Sequence, residues 1–172
     1  MANILILRSV NTGDEDIKTG VCESELQQGY AVALGDVSTE RATRNAYEVA
    51  APAAATDLIG LVYNADVPSI YDEMGNVYKG VISDPRNIKF PAGTVVNIWM
   101  PGKNSEIAMT EVAGTEAGAT YVVYKASDMK PTYATDMTGA LLAFKITGKK
   151  FVSIGNERVA TVEMIHVPVV TE

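Results

Sequence analysis

Two Gly-Lys pairs, Gly102-Lys103 and Gly148-Lys149, are the nearest this chain comes to a phosphate-binding loop. Such a loop needs Gly-x-x-x-x-Gly-Lys-Ser/Thr, because successive backbone N–H groups wrap the phosphates and the hydroxyl reaches the magnesium. Counting back from Gly102 puts the first glycine at Asn97, and Asn104 follows the lysine. Counting back from Gly148 gives Ala143, and Lys150 follows. Both fail at both ends. The two glycines are expected instead to supply φ > 0 in turns between paired strands, with 101–104 closing a hairpin.

The other reactive side chains are few. His166 is the only histidine, which excludes multi-histidine metal centres, and no Gly-x-Ser-x-Gly elbow accompanies it. On a strand it would share a face with Ala160, Val162 and Met164, as a packed or half-exposed strand-end residue. Cys22 is the only cysteine, so neither an intrachain disulfide nor a thiolate cluster can form; it is expected as a small apolar side chain packed inside. The carboxylates Asp14-Glu15-Asp16, Asp66, Asp72-Glu73 and Asp84 lack the spacing of a calcium loop. Two of them could serve a glycosidase, whose pair is defined in space and not in sequence. A single tryptophan leaves little for a sugar to stack on, and solvated turn carboxylates are the simpler reading. No catalytic residue, metal or cofactor is therefore expected.

Large side chains give a better lead. Tyr63, Tyr71 and Tyr78 cluster around the loop that precedes Ile88-Lys89-Phe90. In 95–100 the period-2 rule puts Val96, Ile98 and Met100 on one face and Val95, Asn97 and Trp99 on the other. The first row reads as core. The second leaves two places open for Trp99, a partly exposed contact face or the inside of a two-sided sandwich.

The elements that carry these residues are mostly short strands. Residues 4–10 (ILILRSV) read as a strand or an extended arm, and 30–34 as a strand closed by Gly35-Asp36. Ser24 to Gly29 looks like one helical turn, with Ser24 as N-cap. The stretch 38–51 fits either a thin-faced helix or a strand at 45–51, and its strand-rich surroundings favour the strand. Further strands are expected at 58–64, 95–100, 105–112 and 120–125. The chain ends in three more, at 141–147, 150–154 and 158–167. Turn signals every eight to twelve residues or so predict an all-β fold, an antiparallel sandwich or barrel with at most one or two short helices. The organisation expected is an N-terminal strand or arm at 1–22 and a single β-rich domain at 23–172, with a hinge near 113–119.

At 172 residues and net charge −7, the chain suits one ordinary domain and argues against non-specific nucleic-acid binding. The apolar run in MANILILRSV is too short for a signal-peptide core, and no stretch approaches the ~20 residues of a membrane span. A chain made and kept in solution in a cytosol is the expectation.

The order of segments resembles the small β-rich auxiliary, or decoration, head proteins of tailed bacteriophages. The resemblance rests on a short aliphatic first strand, Gln-Gly-Tyr-Ala-Val-Ala-Leu, and Leu-Ile-Gly-Leu-Val-Tyr-Asn. An acidic tyrosine-bearing loop, Ile-Lys-Phe-Pro-Ala-Gly-Thr-Val-Val, a Phe-Val-Ser-Ile-Gly hairpin and a long final strand complete it. It implies a non-enzymatic virion protein on the outer capsid surface, made in the bacterial host cytoplasm. The implied partners are the major capsid protein and further copies of the chain, commonly as trimers. Partner-binding candidates are Ile4, Ile6 and Arg8, where an extended strand could add to a sheet edge, together with Tyr71, Tyr78 and Trp99. Two other readings are a head-fibre or tail component, and a small carbohydrate-binding module or glycan hydrolase.

Overall fold

A computed structural model describes residues 4–9, 16–40, 43, 45–63, 70–71, 77–78, 89–154 and 156–169. Every described element is a strand: β1 (Leu5–Ser9), β2 (Asp16–Val21), β3 (Leu26–Gln27), β4 (Ala31–Val37) and β5 (Tyr47–Ala50). β6 (Ile59–Val62), β7 (Ile70–Tyr71), β8 (Val77–Tyr78), β9 (Lys89–Phe90) and β10 (Val95–Met100) follow. β11 (Glu106–Met109), β12 (Tyr121–Lys125), β13 (Thr132–Ala134), β14 (Ala140–Ile154) and β15 (Glu157–Val167) complete the chain. The all-β expectation holds.

These strands form two main bodies. One is a closed barrel in the order β10-β2-β5-β4-β6, in which only β2 and β5 run parallel. The other is a six-stranded antiparallel sheet, β1-β11-β15-β14-β12-β13. Two-stranded ribbons β3–β9 and β7–β8 stand beside them.

Side-chain alternation along β10 explains why the barrel and sheet adhere. Val96 and Ile98 point into the barrel with Cys22, Leu26, Val32, Val49, Val62 and Phe90. Trp99 points the other way, into a second core with Leu61, Ile107, Met109, Tyr124, Phe144 and Met164. The partly exposed placement of Trp99 is thus corrected: it is 1% exposed, because the six-stranded sheet covers that side of the barrel. A buried hydrogen bond also ties the two bodies, with Tyr124 Oη donating to the Gly29 carbonyl at 2.8 Å. Burial holds the Tyr124 phenol well above its ordinary pKa.

Other expectations change in detail. Ser24–Gly29 is no helical turn: Leu26 and Gln27 pair with Phe90 and Lys89, and Gly29 turns the chain at φ 78°. The ambiguous stretch 38–51 yields strand β5, as favoured. Residues 101–104 close no hairpin, because β10 belongs to the barrel and β11 to the sheet. The left-handed residue in that turn is Asn104 at φ 64°, not Gly102. Gly148 makes no turn either. It sits within continuous strand β14, at a register shift between Ile146 and Gly148, and is absent from the left-handed glycines. The strands expected at 141–147 and 150–154 are therefore one, β14, while the long final strand expected at 158–167 is present as β15.

The N-terminal segment is shared between the two bodies. β1 is an edge strand on β11, with Leu5 opposite Met109, while β2 is a barrel stave. Around 113–119, Ala113 bridges Thr132, and Gly114 and Gly118 take φ of 89° and 80°.

Candidate interaction surface

The 101–104 turn has a structural partner. His166 Nδ1 lies 2.7 Å from the Gly102 carbonyl, so the imidazole N–H donates to it, and the His166 amide donates to Ser105 O. The ring leans on Phe144, with centroids 5.4 Å apart. His166 therefore clasps the crossover between barrel and sheet. Burial lowers its pKa below the ordinary 6.5, while the Gly102 bond pulls weakly the other way. A depressed pKa means that the fold holds the neutral ring, so this stability is full above pH 6.5 and is lost as pH falls through the lowered value. Replacing His166 with Gln removes the titration. The gap in Tm between wild type and His166→Gln is expected to narrow between about pH 7.5 and about pH 5. A constant or widening gap would contradict the assignment.

The candidates on β1 lie on an edge strand but are engaged within the chain. The Ile4 amide donates to Thr110 Oγ1 at 3.0 Å, and Ile6 is half-buried opposite Ala108. Arg8 grips Glu163 with two nitrogens, Nε to Oε2 at 3.1 Å and Nη2 to Oε1 at 2.9 Å. Thr161 Oγ1 donates to the same carboxylate at 3.1 Å. Ala108 stands between Ile6 and Glu163 in the ladder, and its small side chain leaves the guanidinium room to cross β11. Glu163 was missed from the sequence. Its signal was a lone carboxylate within the apolar run Val162 to Ile165, which needs a partner wherever it is buried.

Tyr71 and Tyr78 belong to the paired ribbon β7–β8, with Ile70 opposite Tyr78 and Tyr71 opposite Val77. Their side chains lie outside the described residues. Tyr63 packs against the core that holds Trp99. Of the six candidates, Ile6 and Arg8 lie on edge strand β1 with Ile4 just before it, whereas Trp99 is buried in the core between barrel and sheet.

Two surface features that sequence reading did not single out as contact surfaces are more prominent. The first is the far end of the β14–β15 hairpin. β12 pairs with 140–145 of β14, and β11 with 162–165 of β15. Beyond these, 150–154 and 157–161 pair with each other, forming a spur about 17 Å long at ~3.3 Å per residue. Phe151 and Ala160 face each other, as do Ser153 and Arg158, so all four share one side. That side is open: Phe151 is 55% exposed, and the Arg158 guanidinium sits 4.2 Å from its ring centroid. At the base, Lys149 Nζ meets Glu116 Oε2 at 2.5 Å.

The second feature is a cleft of about 960 Å³ on the barrel. Glu23, Asp36, Glu40, Glu48 and Asp57 stand around it, and its described lining holds no lysine or arginine. Leu34, Val49 and Met129 provide apolar lining. The amides of Ala53 and Ala54 hold the Asp57 carboxyl below its ordinary pKa. Among the described residues, those of this cleft included, no group of three or more His, Cys, Asp or Glu is placed to hold a metal ion. Cys22 is buried, with its sulfur 3.1 Å from Ser24 Oγ.

The chain matches no protein-family model, no curated protein and no solved structure.

Proposed function

We propose that this chain is a non-enzymatic structural protein of a tailed-phage virion that binds the outside of the head and decorates or stabilises the capsid. Its partners in this reading are the major capsid protein and further copies of itself, with a trimer favoured. The observation that supports the reading most is the projecting β14–β15 spur, which offers an exposed aromatic and cation on a rigid two-stranded support. A protein that acts by contact needs such a surface, with a few large side chains as anchors. Exposed Ile17, Val37, Leu58 and Val95 add apolar area on the barrel. The order of segments quoted above supplies the phage context.

Titration of the purified chain onto phage heads lacking it tests the proposal. Saturable cosedimentation at a ratio close to one chain per shell subunit, or one trimer per local cluster of subunits, is the expected result. A chain that stays in the supernatant at every concentration would overturn it. Saturation at a few copies per particle would favour a fibre or tail component, and selective binding in a glycan screen would favour the carbohydrate module.

A further inference from the structure

The spur carries exposed cations, whereas the charged side chains in the described lining of the cleft are all carboxylates. Within the spur the sequence places Lys150 and Arg158 against Glu157, with Lys149 at the base paired to Glu116, in a chain whose net charge is −7. The cleft presents five carboxylates around an apolar lining, and no spur residue lines it within one chain. We propose that the spur of one copy docks into the acidic cleft of a second copy, with Phe151 against the apolar lining and Arg158 among the carboxylates.

The spur's side chains suit this arrangement. A two-stranded ribbon whose strands lie about 4.8 Å apart is slim enough to enter an open cleft, and its exposed side carries the ring and the guanidinium together. Arg158 stacked over Phe151 is already ordered, so less side-chain freedom is lost when it meets a carboxylate. Lys149 is held by Glu116 and steadies the base of the spur. Lys150 lies on the other side of the ribbon, opposite Thr161, and adds long-range attraction.

The contact is heterologous, since spur and cleft are different surfaces. Each copy gives one spur and receives another, which closes into a ring when the rotation between copies permits. The inference rests on the self-association in the reading above and not on the identity of the shell.

Sedimentation of the full chain over a range of concentrations, at low and high salt, provides the test. Wild type is expected to assemble beyond the monomer and to weaken as salt screens the charges. Arg158→Glu and Phe151→Ser should each raise the dissociation constant by about tenfold or more while leaving the circular-dichroism spectrum and Tm unchanged. The cleft variant Asp36→Lys/Glu48→Lys should do the same, and mixing it with Arg158→Glu should restore assembly, because the unaltered spur meets the unaltered cleft and the charge-reversed spur meets the charge-reversed cleft. A wild type that stays monomeric at every concentration would overturn both self-association and docking. Assembly unaffected by all three variants would overturn the docking alone. In that case self-association stands, and binding to heads is judged by its own titration.

Discussion

Trp99→Ala is expected to be the most damaging truncation of a single side chain, costing about 3–5 kcal/mol of folding stability. Trp99 heads the largest fully buried side chains and lies between Leu61 of the barrel and Ile107, Tyr124 and Phe144 of the sheet. Its loss would leave a cavity where the two bodies meet, and close packing on both sides allows little collapse. The fall in Tm for a chain of this size should be roughly 10 °C or more. Trp99→Phe should lose less, because most of the ring volume remains. Urea unfolding followed by circular dichroism measures both. A cost below about 1 kcal/mol for Trp99→Ala would show that barrel and sheet do not share this core.

A single added methyl group at Gly60 is expected to do comparable harm. A Cβ there would lie 2.5 Å from Ile98 Cγ2, 2.6 Å from Met100 Sδ and 2.9 Å from the Trp99 carbonyl oxygen. Ile98 is fully buried inside the barrel and cannot swing aside. The Trp99 oxygen is backbone in the β6–β10 pairing, where Trp99 faces Leu61, so relief means parting two staves of a closed barrel. Overpacking of this kind costs about 3 kcal/mol, near the upper end of its usual range. Gly148→Ala is the control. Nothing lies within 4 Å of its Cβ and its φ is ordinary, so its stability should stay within about 0.5 kcal/mol of wild type. Equal behaviour of the two variants in thermal unfolding would contradict the barrel packing described here.

What could be read from the sequence followed from local physics. Alternation in Val95–Met100 identified the strand and its core row correctly, since Val96 and Ile98 do fill the barrel. The same alternation left Trp99 undecided, because a strand buried on both faces differs from a one-sided strand only in what covers its second face. That cover is β11, β12, β14 and β15, and no local pattern in β10 shows that these strands, the adjacent β11 included, fold back over its second face. Turn chemistry misled at both Gly-Lys pairs for a related reason. A turn signal says that the chain changes direction, but not whether the next strand pairs with the last or joins another sheet. At Gly148 the strand runs on through a register shift, so 141–147 and 150–154 read as two strands, and the hairpin beyond is not recognisable in the sequence as the end of a long ribbon with Phe151 exposed on it. The cleft had no sequence signature, since its lining runs from Val21 to Met129 and only closure of the barrel gathers it. Arg8 was singled out for a partner, whereas Glu163, the group it holds, emerged only when β1 was laid beside β11 and β15.

Attachment to a capsid is the central proposal for this fold. Electron cryomicroscopy of tailed-phage heads purified from a preparation in which the chain is expressed tests that proposal most directly. The expected result is density for the barrel and six-stranded sheet on the outer surface, repeated over the shell, with neighbouring copies joined to one another. Heads whose outer surface carries no such density, from a preparation in which the chain is expressed, would contradict it.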